Sequence, residues 1–127
     1  MAGGISVHVV DITRGLPAAG MRVEVYRLDG GRMRLAEGAL DARGLFGVPP
    51  VEMGPAGRYE VVFHVGAFYR GQGHALAEPP FLDEVPFRFG VADPDQPYHL
   101  PLKLSPWGFS LFRGASATES ARACPRP

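Results

Sequence analysis

Apolar residues recur at every second position in three separate stretches of this chain, and that period decides what it can fold into. Ile5, Val7 and Val9 alternate with Ser6, His8 and Val10; Met21, Val23 and Val25 alternate with Arg22, Glu24 and Tyr26; Tyr59, Val61, Phe63 and Val65 alternate with Glu60, Val62 and His64. Successive side chains of an extended strand point to opposite faces, so each set predicts a strand with one apolar face. Shorter patterns continue the series over residues 34–39, 86–91, 98–104 and 109–114. Turns are expected at Asp29-Gly30-Gly31, Asp41-Ala42-Arg43-Gly44 and Ser105-Pro106-Trp107-Gly108, where glycine, proline and aspartate supply the angles and local hydrogen bonds of a reversal. Residues 67–72 read as one short helix, and no long helical period competes. Many short strands separated by turn residues predict an all-β fold, a two-sheet sandwich with one short helix.

At 127 residues the chain suits one domain, since a fold of this size buries about two thirds of the surface its unfolded chain exposes. Its 13 basic and 13 acidic residues cancel, and no basic run offers a footprint for nucleic acid or an anionic membrane. The expected partner is a small neutral or weakly charged molecule. The start runs directly into the first strand, without the charged and apolar regions of a leader, and no stretch is long enough to span a bilayer. A soluble, cytoplasmic protein is expected. Cys124 has no partner cysteine, and the four histidines are scattered without close ligand spacing, so no disulfide and no metal site are expected. Phosphate-loop and dinucleotide signatures are absent, and no cofactor is expected. Periodicity ends near residue 115, which puts the folded domain at 1–115 and a disordered tail at 116–127.

Alternation also sorts the residues able to do chemistry. Tyr98, Leu100, Leu102 and Leu104 form one apolar face, which leaves His99, Pro101 and Lys103 on the other. His8 shares a face with Ser6 and Val10. On the last strand Ser110, Phe112 and Gly114 lie on one side, with Phe109, Leu111 and Arg113 opposite. A sandwich buries one face of each sheet, so the second face needs another use.

Two segments, Ile5-Ser6-Val7-His8-Val9-Val10-Asp11 and Tyr98-His99-Leu100-Pro101-Leu102-Lys103-Leu104-Ser105-Pro106-Trp107-Gly108-Phe109-Ser110-Leu111-Phe112-Arg113-Gly114, together resemble the transthyretin-like 5-hydroxyisourate hydrolases. The signatures of that family read approximately T-H-V-L-D and H-Y-H-V-P-L-L-L-S-P-W-x-Y-S-T-Y-R-G-S. The resemblance implies a transthyretin-like (prealbumin-like) sandwich and a homotetramer, a dimer of dimers, with active sites in the channel where the dimers meet. It also implies that His8 and His99 are catalytic. Two imidazoles that titrate near neutrality suit hydrolysis of a cyclic ureide, one taking a proton from water and the other protonating the departing nitrogen. His64 matches a framework segment and His74 a loop.

The departures from the family pattern carry as much information. The family's catalytic arginine follows a turn written approximately N-x-D-G-R, where this chain has Leu45 after Gly44. Leu45 holds no oxyanion, and losing a charged donor typically costs roughly a hundredfold or more in rate. Arg43, two positions earlier, shares its parity if the turn continues as strand. The terminal Y-R-G-S reads Phe112-Arg113-Gly114-Ala115, so a phenol and a serine hydroxyl are lost, and Pro97 replaces the first histidine of H-Y-H. Ser110, Phe112, Arg113 and Gly114 are the expected substrate-lining residues of this motif, with Arg43 and Leu45 across from them. Lys103, the only lysine, stands where the family has an aliphatic residue, about 13 Å along the strand from His99. It is either a solvated charge or a channel cation serving as donor, base or imine-forming nucleophile. Three functions stay open: a hydrolase of this type with a less polar cyclic ureide, lactam or heterocycle as substrate; an authentic 5-hydroxyisourate hydrolase of urate breakdown; and a carrier that binds a small molecule without chemistry, as transthyretin binds thyroid hormone. Two retained proton-transfer groups favour an enzyme. Lost donors favour a changed ring.

Overall fold

The period-two segments pair into two four- and five-stranded sheets in a computed structural model that describes residues 3–114. The expected tail at 116–127, with Cys124, lies outside the described residues. In chain order the elements are β1 (Gly4–Asp11), β2 (Leu16–Pro17), β3 (Arg22–Arg27), β4 (Met33–Ala39), β5 (Leu45–Val51), β6 (Gly57–His64), α1 (Val65–Gly71), β7 (Glu84–Val91), β8 (Pro97–Ser105) and β9 (Gly108–Leu111). One sheet runs β2-β1-β8-β9, with β5 also hydrogen-bonded to β1; the other runs β4-β3-β6-β7. All pairs are antiparallel except β1 with β8, which lie parallel in register from Gly4 with Pro97 to Asp11 with Leu104.

The apolar sets read from the sequence are the core. Ile5, Val7 and Val9 of β1 and Leu100, Leu102 and Leu104 of β8 face Val23, Val25, Tyr59, Val61 and Phe63 of the other sheet, all of them buried. Each such side chain contributes roughly 1.5–3 kcal/mol by leaving water. Truncating Leu104, which is fully buried, to alanine would cost about 2–5 kcal/mol.

Two strands escaped the sequence pattern. β5 contains Gly47 and the pair Pro49-Pro50, and it lies on β1 through an irregular register between Ile5 and Val7. Gly47 has φ +86°, and a Cβ there would lie 2.5 Å from the Ile5 carbonyl oxygen and 2.9 Å from Ser6 Cα, so only glycine allows this approach. β2 has two residues, too few for any period. The helix starts two residues earlier than expected, at Val65. Its first N–H groups are satisfied without a side-chain cap: Val65 and Gly66 both donate to the Asp83 carbonyl at 3.0 Å.

The outer face of the second sheet closes on itself. Glu60, almost fully buried, accepts from Arg32 at 3.1 Å and Arg88 at 2.9 Å, and the Arg32 guanidinium lies 3.7 Å over the Tyr26 ring. His64 lies 2.5 Å from Glu24. Among the described residues the outer face of the first sheet has no such ion-pair network, and it carries the candidate site.

Candidate active site

Strand register sets the candidate residues out in three rows across β5, β1, β8 and β9. The middle row is Leu45, His8, Pro101 and Phe112: His8 pairs with Leu45 on one side and Pro101 on the other, and the Phe112 amide donates to the Pro101 carbonyl at 3.4 Å. The row at one end is Ser6, His99 and Gly114, joined by strand pairing and a bridge in which the Gly114 amide donates to the His99 carbonyl at 2.7 Å. At the other end stand Pro17, Val10, Lys103 and Ser110. The side chains of a row share a face of the pleat. His8, Leu45, His99, Lys103, Ser110, Phe112 and Gly114 therefore occupy one surface, although they come from four strands.

The two imidazoles are held by opposite nitrogens. His8 Nε2 lies 3.1 Å from the carbonyl oxygen of Arg43, which only accepts, so the neutral ring carries its proton on Nε2 and leaves Nδ1 as a base. Asp41 braces the turn that presents this carbonyl, accepting from the Arg43 amide at 2.8 Å and the Leu45 amide at 3.0 Å. His99 is held the other way round. Its Nδ1 lies 2.8 Å from Ser6 Oγ, which leaves Nε2 free. Burial, reinforced by the neighbouring His8, pushes the His99 imidazole below its ordinary value of 6.5, which favours the neutral ring.

Gly114 fits the other edge of the His99 ring. A Cβ there would lie 3.3 Å from His99 Cδ2 and 2.8 Å from Pro101 Cγ. With Nδ1 toward β1 and Cδ2 toward Gly114, the tip of the ring points out of the sheet.

The arginines lie elsewhere. β5 begins at Leu45, so Arg43 belongs to the turn, and its guanidinium pairs with Asp41 at 3.3 Å and is largely exposed. Its carbonyl, not its side chain, reaches His8. Arg113 has the parity of the buried face: its guanidinium lies 4.0 Å over the Tyr98 ring and donates to Gln96 Oε1 at 3.0 Å and the Pro97 carbonyl at 3.2 Å. Lys103 is exposed and takes part in none of the ion pairs among the described residues. His64 and His74 stand apart from this face, His64 on Glu24 and His74 against the Tyr69 ring with centroids 4.9 Å apart. Ser6 was legible only as a neighbour of His8; its tie to His99 needed the parallel pairing, which periodicity does not report.

Three surface concavities of about 270, 330 and 390 Å³ are lined in part by Gly4 and Met53, by Leu45 and Phe46, and by Glu60 and Arg88; neither histidine lines any of them. The histidine face of the single chain is open. Among the described residues no cluster of histidine, cysteine or acidic side chains is arranged to hold a metal ion, and no helix is long and apolar enough to cross a membrane.

Residues 5–114, which span both histidines, match the model of the HIUase/Transthyretin family. The chain belongs to that family. Within the HIUase/Transthyretin family it is 46% identical over 120 residues to a 5-hydroxyisourate hydrolase of Mesorhizobium japonicum, covering 89% of this chain and 93% of the relative. It is 41% identical over 124 residues to 5-hydroxyisourate hydrolase 2 of Rhizobium meliloti, covering 90% and 98%. Among solved structures, the 5-hydroxyisourate hydrolase of Klebsiella pneumoniae superposes with a TM-score of 0.73 at 28% identity, covering 89% of this chain and 99% of that one. An (S)-allantoin synthase superposes with a TM-score of 0.83 at 35% identity, and there the chain spans 44% of the longer protein's length. The transthyretin-like sandwich expected from the sequence is therefore the fold.

Proposed function

We propose that this chain is a cyclic-amide hydrolase of the 5-hydroxyisourate hydrolase type, working with His8 and His99 on a small ureide or lactam ring less polar than 5-hydroxyisourate. The observation that carries this reading is the pair of imidazoles on one face, one offering Nδ1 as base and the other Nε2, beside the apolar row of Leu45, Pro101 and Phe112. In the proposed reaction His8 Nδ1 takes a proton as water attacks the ring carbonyl. The new C–O bond forms, the ring C–N bond breaks, and the departing nitrogen takes up the proton that His8 gained from water, while His99 Nε2–H donates a hydrogen bond to the oxygen that gains charge. Once the face is closed by the proposed tetramer, the apolar neighbours exclude water from both hydrogen bonds, while withholding the polar partners a more oxygenated ring would need. Phe112 and Gly114 flank this centre, the Arg43 carbonyl holds His8, and Ser110 and Lys103 stand at its far end, whereas Arg113 lies on the opposite face. A homotetramer that closes the histidine face into a channel belongs to the same proposal, supported by the three concavities described above, none of which is lined by either ring.

A second reading, an authentic 5-hydroxyisourate hydrolase, is favoured by the identity to relatives that carry this name. One assay separates the two. Freshly generated 5-hydroxyisourate is offered to this protein and to the Mesorhizobium japonicum enzyme side by side, together with hydantoin and dihydrouracil as less oxygenated rings. The expected result is turnover of 5-hydroxyisourate at least about a hundredfold slower than the relative's, because Leu45 offers no charged donor, and ring opening of a less polar substrate. Equal rates on 5-hydroxyisourate establish the second reading. Rates on every ring that do not rise above spontaneous decay, in the parent as in His8→Asn and His99→Asn, leave only binding, and catalysis that survives both substitutions overturns the two-histidine reading. Sedimentation at micromolar concentration tests the tetramer, and a clean monomer removes the channel.

A further inference from the structure

The ring of His99 is fixed on both edges, and the two fixings differ in kind. Gly114 meets Cδ2 with empty space where any other residue would carry a Cβ, 3.3 Å from that carbon. Ser6 meets Nδ1 with a hydroxyl at 2.8 Å, in direct register on the parallel neighbour strand. This is the one hydrogen bond of Ser6 Oγ among the described side-chain contacts. A half-buried hydroxyl with a single partner satisfies its proton by donating to that partner, and Nδ1 of a neutral ring is then the acceptor.

We propose that Ser6 is a positioning residue for His99, its hydroxyl donating to Nδ1 so that the ring is held as the Nε2–H tautomer with that nitrogen turned toward the substrate. The consequence for chemistry rests on the hydrolase reading above; the tautomer itself does not. Two strand-borne partners then divide the labour between the histidines. The Arg43 carbonyl makes His8 an Nδ1 base, and the Ser6 hydroxyl makes His99 an Nε2 donor. In a site whose arginine position is occupied by Leu45, His99 Nε2–H becomes a neutral donor within reach of the oxygen or nitrogen that gains charge. The β1–β8 register supplies the alignment, and Gly47 allows β5 to cover the backbone at Ser6 without displacing it.

The test compares wild type, Ser6→Ala, Ser6→Thr and His99→Asn by histidine ¹⁵N NMR and by steady-state kinetics on the best cyclic ureide. Wild-type His99 is expected to show an unprotonated Nδ1 and a protonated Nε2, and Ser6→Ala to move both shifts toward a mixture of tautomers. Turnover of Ser6→Ala is expected to fall about tenfold or more at nearly constant KM, with the acidic limb of the kcat profile moved to higher pH because the neutral ring has lost its hydrogen bond. Ser6→Thr, which keeps the hydroxyl, is expected to restore both. An Nδ1–H tautomer in wild type overturns the proposal, as does Ser6→Ala with wild-type shifts, kcat and pH profile while His99→Asn is inactive. If wild type opens no ring at all, the hydrolase reading fails and the ¹⁵N shifts alone still decide the tautomer.

Discussion

The phenol of Tyr69 donates to Asp11 Oδ1 at 2.8 Å, fastening the helix α1 to the end of β1 across the interior of the sandwich. Thr13 also donates to that oxygen, and Arg14 Nε reaches Oδ2 at 3.0 Å. Asp11 is thus a fully buried carboxylate with all its charge accounted for, one residue row away from the histidine face but pointing into the core.

Tyr69→Phe removes one donor and leaves the charge buried, so unfolding in urea should show a loss of about 1.5–3 kcal/mol. Acid should act on the same group. Burial pushes the Asp11 carboxyl up, and the donors Thr13, Tyr69 and Arg14 pull it down further, to below its ordinary 3.8; for Glu60 burial is likewise outweighed by Arg88 and Arg32, below its ordinary 4.5. A depressed folded value means that the unfolded chain binds the proton more readily. These contributions are whole above about pH 5 and are lost as pH falls through the folded values. A urea midpoint that does not fall between pH 5 and pH 3 would contradict this.

His99 should remain neutral below its ordinary 6.5, because burial and then His8 disfavour its charged form. A titration followed by NMR should therefore find its midpoint on the acid side of that value. His8→Asn removes the second cause and should raise the midpoint. Since the folded value is depressed, this ring also contributes stability above 6.5 that is lost as pH falls. A midpoint at or above 6.5 in the native protein would show that the ring is solvated.

Leu45→Arg places a guanidinium beside His8 in the middle row of the site. If the missing donor limits reaction with 5-hydroxyisourate, the variant should turn it over about tenfold faster or more than the parent. An unchanged rate would locate the limit elsewhere on the face.

Lys103→Met should leave the fold intact, since the residue is exposed and outside the core. In a closed channel an ammonium is costly unless it meets an anionic or carbonyl partner, so the variant should bind or turn over its substrate about tenfold more weakly and melt no lower than the parent. Unaltered activity would make Lys103 a surface charge.

Gly114→Ala drives a methyl against Pro101 Cγ and His99 Cδ2, at 2.8 and 3.3 Å before relaxation. Overpacking of this kind costs typically about 1–3 kcal/mol. A lowered Tm together with a shifted His99 resonance is expected, and a variant with the parent's Tm and spectrum would show that the ring has room to move.

What was legible beforehand follows from what periodicity encodes. It reports which face a residue occupies, so the core of β1, β3, β6 and β8, and the common face of His99 and Lys103, were readable residue by residue. It reports nothing about which strand lies beside which, so the Ser6–His99 contact and the use of the Arg43 carbonyl were not. β5 was hidden because Gly47, Pro49 and Pro50 are poor strand formers by composition. They are tolerated where a strand pairs on one side only and is irregular there. The motif match brought His8 and His99 forward, and it fixed attention on the Arg43 guanidinium, which the turn directs to Asp41.

The parallel pairing of β1 with β8 means that the two histidines, 8 and 99, become neighbours only when nearly the whole described chain has been made. On the ribosome, β1 emerges first and must wait with one edge unpaired until β8 arrives, a non-local closure that slows folding and leaves an edge open to wrong partners. Recovery of the His8–His99 geometry during refolding therefore reports the docking of β8, and any treatment that detaches β8 separates the two histidines and opens the core that both sheets share.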